Sequence, residues 1–117
     1  MFNFEKLEVW HKAIDFADAV YSITRAFPDD ERFGLTSQMR RAAVSIPSNI
    51  AEGSARASTR ELIQFVRIAD ASLSELETQI EIAKRLGYLP DTTSLEARTE
   101  KLSSMLSALN DSLRTKL

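Results

Sequence analysis

Ser45-Ile46-Pro47-Ser48-Asn49-Ile50-Ala51-Glu52-Gly53-Ser54 is the stretch on which the fold turns. It holds the one proline that falls inside an otherwise helical pattern. Leu35, Met39, Ala42 and Ile46 keep a helical step up to it, and Asn49 or Ile50 continues the step beyond. Pro47 has no N–H, and its ring crowds the carbonyl of Ala43. Two readings are open. One is a pair of short helices broken at Ile46. The other is a single helix from about Leu35 to Glu52, kinked at Pro47, with the freed carbonyl met by a side chain or water. The unbroken apolar step favours the kink. A proline inside a helix costs about 3 kcal/mol, so packing or shape has to offset it. Gly53 then reads as the C-terminal stop.

Downstream, Ser58-Thr59-Arg60-Glu61 reads as a capping box with Ser58 as N-cap. Leu62, Val66, Ala69, Leu73, Leu76, Ile80 and Ala83 follow as an unbroken heptad seam. Lys84 and Arg85 suit the negative end of that helix dipole. Gly87 caps it, with Pro90 at the expected offset. A fourth helix is expected from Asp91 or Thr93, with Glu96 completing a second box from Thr93. Its core face is Leu95, Leu102, Met105, Leu106, Leu109 and Leu113, and it frays towards Leu117.

Upstream, the spacing predicts a first helix from near Glu5 to near Phe27. Its seam is Val9, Ala13, Phe16, Val20, Ile23 and Phe27. Trp10, Ile14, Ala17, Tyr21 and Thr24 form a second stripe beside it. Pro28 disfavours helix at the residue before it, and Asp29 to Gly34 form a polar turn. Four helices with short connections predict an all-α, up-down-up-down four-helix bundle, with the second helix kinked at Pro47. Trp10, Ile14 and Tyr21 on the first helix and Phe65, Ile68, Ile82 and Leu86 on the third are left over. They belong either to a wide core stripe or to an oligomer surface.

The chain has 117 residues, a length that suits one domain spanning residues 1–117. It has no cysteine, which removes disulfides, thiolate nucleophiles and Cys-ligated zinc, and fits a reducing cytoplasm. A formal net charge of −2 supplies no global attraction to nucleic acid or anionic membrane. Met1 to Lys6 lacks the apolar core of a signal peptide. No apolar run approaches the roughly 20 residues needed to span a bilayer, so no membrane association is expected.

Little in the chain points to chemistry. Glu8-Val9-Trp10-His11 has the Glu-x-x-His spacing of di-iron bundles, but that site needs a second such motif. His11 is the single histidine. Nucleophilic triads lack their parts, and Glu75 and Glu77 do not share a helix face. Hence no enzyme activity, metal or cofactor is expected. Ser45, Asn49 and Glu52 read either as a polar site beside the kink or as groups that satisfy backbone freed by Pro47 or bond to a neighbouring helix. Asn49 also reads as a register-fixing residue on the seam. Arg40, Arg41, Arg56, Arg60 and Arg67 lie in a region whose acids are only Glu52 and Glu61. They read either as a phosphate-binding rim or as solvated faces and ion pairs.

Three stretches carry a family resemblance: Phe4 to Trp10, Phe33 to Gly53, and Ser72 to Gln79 with Leu86-Gly87-Tyr88-Leu89 downstream. They resemble the bacterial 23S rRNA intervening sequence proteins, and the likeness covers most of the chain. The resemblance implies a four-helix protomer that assembles with itself into a homopentamer. It also relates the chain to the accessory variability determinants of diversity-generating retroelements, which bind a reverse transcriptase and nucleic acid through a basic surface. The expected function is therefore a non-enzymatic interaction or scaffold protein in a pentameric ring with a protein partner. The alternative is a nucleic-acid-associated accessory protein that contacts phosphates through Arg40, Arg41, Arg56 and Arg60.

Overall fold

The structure is a computed structural model that describes residues 3–117. Met1 and Phe2, which begin the stretch read for a signal peptide, lie outside the described residues. A 3-10 turn (Phe4–Lys6) precedes α1 (Glu8–Thr24). A second 3-10 turn (Asp29–Glu31) leads into α2 (Leu35–Ser54), followed by α3 (Thr59–Arg85) and α4 (Thr93–Arg114). No strand occurs among the described residues. Each helix packs on the next and α4 closes back on α1, so α1 and α3 lie diagonally, as do α2 and α4. The α2–α3 contact is the most extensive and the α4–α1 contact the slightest. This is the expected all-α four-helix bundle. None of its helices is long and apolar enough to cross a membrane, among the described residues.

The third helix follows the expected pattern most closely. All seven seam residues from Leu62 to Ala83 are buried. The Ser58 hydroxyl accepts the Glu61 N–H at 3.1 Å and donates to the Glu61 carboxylate. Gly87 adopts φ +81, the Gly87 N–H reaches the Lys84 carbonyl and the Tyr88 N–H reaches the Ala83 carbonyl. That pair of bonds closes the helix end with a left-handed glycine.

Four boundaries differ from the sequence expectation. The first helix starts at Glu8, not Glu5, because Leu7 is extended (φ −82, ψ 121) and Asn3 Oδ1 caps a separate short turn at Glu5 N–H. It ends at Thr24, three residues before Phe27, which stays buried against Tyr88. The capping of the fourth helix is built from Asp91 and Thr92, not Thr93. Asp91 Oδ1 accepts the Thr93 N–H, and the Thr92 hydroxyl donates to Glu96. The fourth difference is Gly53, which does not stop α2; the helix runs through it to Ser54.

The second helix is continuous through Pro47, so the two-short-helices reading fails. At Gly53, α2 packs tightly against α3. A methyl group there would lie 2.6 Å from Phe65 Cβ and 3.0 Å from Leu62 Cδ1. The glycine is therefore a contact residue.

Glu31 clamps three elements together. One carboxylate oxygen accepts the Leu35 N–H at 3.0 Å, at the start of α2. The other accepts the Tyr88 hydroxyl at 2.9 Å, beyond the end of α3. The Leu35 N–H, and then the Tyr88 hydroxyl, hold the Glu31 carboxyl below its ordinary value of 4.5. The bond to Glu31, with smaller contributions from burial and the nearby negative charge, raises Tyr88 above 10.0.

Two predictions follow from these contacts. In an open helix Gly→Ala stabilises by about 1 kcal/mol; Gly53→Ala should instead destabilise by about 1–3 kcal/mol, read as a lower urea midpoint. The clamp fixes a pH window. A depressed carboxyl stabilises above 4.5, and that contribution is lost as pH falls through its lowered native value. A raised phenol stabilises below 10.0, and that contribution is lost as pH rises through its native value. Tyr88→Phe should flatten the alkaline limb of stability against pH, and Glu31→Gln should flatten both limbs.

Candidate functional site

The polar residues around Pro47 form one small network between α2 and α3. Ser45 Oγ lies 2.8 Å from Ser72 Oγ on the neighbouring helix. The Asn49 amide donates to both the carbonyl and the hydroxyl of Ser45, at 2.8 and 2.9 Å. Asn49 therefore serves the carbonyl of Ser45 and not that of Ala43, which Pro47 deprives of its ladder donor. Both Ser45 and Asn49 are half-buried, at the edge of the α2–α3 seam and not within it. Glu52 takes no part; it pairs with Arg56 at 2.8 Å. The network ties two helices together.

The four arginines separate into two kinds. Arg40 is held by its own chain: Nε donates to the buried Thr24 hydroxyl at 2.9 Å, and the guanidinium donates to the Tyr21 carbonyl at 3.3 Å. It also lies 4.6 Å from the Tyr21 ring centroid. Arg56 is likewise engaged, paired with Glu52 and placed 4.9 Å over the Phe65 ring. Arg41 and Arg60 are exposed, and neither forms an ion pair among the described residues. Of these four, Arg41 and Arg60 have the freedom that a phosphate contact asks for, and Arg67 is likewise exposed without an ion pair among the described residues.

The fold also assembles a feature that no single stretch carries. Tyr21 from α1, Arg32 and Phe33 from the loop, and Arg40, Arg41 and Val44 from α2 line one open groove of about 460 Å³. Phe33 is 88% exposed, with Arg32 5.3 Å over its ring. Two aromatic rings thus stand among three arginines. These residues are scattered over more than twenty positions, so spacing along the chain could not reveal the cluster.

His11 is likewise engaged. Its Nε2 lies 2.7 Å from the Glu5 carbonyl and donates to it, pinning the 3-10 turn to α1. No group of three His, Asp or Glu side chains is placed to hold a metal among the described residues. Between α1 and α4 a cleft of about 560 Å³ lies over Phe16 and Leu102, rimmed by Lys12, Asp15, Asp18, Arg98 and Lys101. No ion pair spans it among the described residues.

The contrast between adjacent arginines is testable. Arg40→Ala removes charge-assisted bonds to a buried hydroxyl and should destabilise by about 1.5–3 kcal/mol. Arg41→Ala should change stability by less than about 0.5 kcal/mol. Equal effects in denaturant unfolding would contradict this assignment.

No curated protein matches this chain. A family model described as 23S rRNA-intervening sequence protein matches residues 5–108. That range takes in the first three helices, most of the fourth, and every residue of the Ser45–Asn49 network, the groove and the Glu31 clamp. The chain belongs to the 23S rRNA-intervening sequence protein family.

Proposed function

We propose that this protein is a non-enzymatic scaffold, a four-helix bundle that assembles into a homopentameric ring and offers that ring to a protein partner in the cytoplasm. The observation that supports it is the apolar surface outside the core. Ile14, Tyr21, Val44, Ile68, Ile82 and Leu86 are all exposed on a bundle whose core is already filled. Isolated apolar residues on a surface are ordinary, but all of these except Val44 recur at helical spacing along α1 and α3 and mark interaction faces. Different faces that meet head to tail generate a ring when the rotation closes. The number five comes from the family likeness. Pro47 enters as a shape element: a kink in α2 sets how the protomer's outer faces are angled.

Sedimentation and light scattering at micromolar concentration test the assembly. A pentamer is expected, and a stable monomer would overturn the reading. A dimer would keep the apolar-surface argument and reject the stoichiometry. Pro47→Ala should leave protomer stability unchanged or raise it, and should weaken the assembly.

One observation favours the second reading, a nucleic-acid-associated accessory protein. The groove places Phe33 and Tyr21 among Arg32, Arg40 and Arg41, the combination of stacking rings and cations that single strands use. With Arg40 and Arg56 held within the chain, Arg41 and Phe33 become the decisive residues. Fluorescence anisotropy with single-stranded RNA at low salt should then show binding that weakens steeply with added salt. Phe33→Ala or Arg41→Ala should lower that affinity several-fold while the protomer stays folded by circular dichroism. No binding at low salt would discard this reading.

A further inference from the structure

Two helices of this chain carry a second heptad seam, and we infer that the α1 seam of one copy packs against the α3 seam of the next. This rests on the self-assembly proposed above and specifies the faces that meet. On α1 the second seam is Trp10, Ile14, Ala17 and Tyr21, in steps of four, three and four. On α3 it is Ile68, Ser72, Glu75, Gln79, Ile82 and Leu86, in alternating steps of four and three. Such spacing is what lets two helices interlock along a shared seam. Ile14 and Ile82 are each 43% exposed, and Leu86 is 54% exposed. Within one protomer α1 and α3 are diagonal, without close backbone approach, and Ile14, Ile68, Ile82 and Leu86 are exposed, so the seams cannot satisfy each other there.

Charge decides how they pair. The α1 seam ends at Tyr21, beside Arg40 and Arg41. The α3 seam has the exposed Glu75 near its middle, which forms no ion pair among the described residues. Two parallel α1 seams face to face would bring guanidinium groups together, and two antiparallel α3 seams would oppose their mid-seam carboxylates. Pairing α1 with α3 sets cations near the carboxylate, and like-charge juxtaposition is what selects against the wrong partner. The contact is therefore heterologous, with a different face from each copy. Ser72 is already bonded to Ser45, and Gln79 is buried within its own protomer with its Oε1 unpaired. The apolar grip on α3 comes from Ile68, Ile82 and Leu86.

A complementation experiment tests the pairing. Ile14→Glu spoils the α1 face and Ile82→Glu the α3 face, and circular dichroism establishes that each variant folds. Each alone should sediment as a monomer. Mixed, they should form a one-to-one heterodimer, because each supplies the face the other lacks. Either variant assembling like the native chain would overturn the inference, as would a mixture that stays monomeric. In both cases a native chain that still assembles would leave the scaffold reading standing. A native chain that is itself monomeric would end both. Should Ile82→Glu fail to fold, Ile68→Glu takes its place, and Ile14→Lys replaces Ile14→Glu.

Discussion

The bundle depends on how closely α2 and α3 approach at Gly53. Only a residue without Cβ lets Phe65 and Leu62 sit where they do. That approach brings the Phe65 ring against α2, and Arg56, paired with Glu52, covers it. It also brings Ser45 within hydrogen-bond distance of Ser72 further along the same interface. Contacts at two points along an interface fix the rotation of α3 about its axis as well as its distance. With that rotation set, Leu62, Val66, Ala69, Leu73, Leu76, Ile80 and Ala83 face inward, and Ile68, Ile82 and Leu86 face solvent. The outer surface of the protomer thus follows from one small residue on the neighbouring helix.

Legibility from the sequence tracked how local each signal was. The α3 seam, its Ser58 cap and its Gly87 stop are set within one helix, and they were readable because helical periodicity and capping are local physics. The α1 start differs from the expected one because Glu5 and Lys6 form a 3-10 turn that Leu7 separates from the helix. Thr93 stands three residues before Glu96, the spacing of a capping box, but the bond to Glu96 comes from Thr92. Gly53 carried an ambiguity that only tertiary structure resolves. A glycine near the end of a helical pattern suits a C-cap, and here it suits a close contact instead. The apolar residues left over on α1 and α3 were identified from spacing alone, although Trp10 and Phe65 among them are half-buried.

The arginines show the limit of reading charge along a chain. Arg40 and Arg41 are neighbours in sequence and look alike, yet a helix turns 100° between them. One side chain reaches across to Thr24 and Tyr21 of α1, and the other points to solvent. Arg56 looks like a free cation until α3 supplies the Phe65 ring beneath it. The groove around Phe33 was invisible for the converse reason, since α1, the loop and α2 each contribute only a part.

Tyr21 belongs to two surfaces at once: it closes the second seam of α1, and it forms one wall of the groove that holds Phe33, Arg32 and Arg41. Its ring is also held by Arg40, which is in turn bonded to Thr24. A partner copy seated on the α1 seam would therefore lie against the groove and shield part of it. Two ligands that compete for one wall are coupled, and the coupling is reciprocal: whatever assembly does to groove affinity, groove occupancy does to assembly. For a polyanion the sign is set by two opposed effects. A second copy would bring its Glu75 towards the arginines and weaken their field, while a ring would repeat each groove around its rim. The first effect acts on every single contact, whereas the second matters only for a strand long enough to span neighbouring protomers. Strand length is thus the variable that separates assembly as an inhibitor of the groove from assembly as its amplifier.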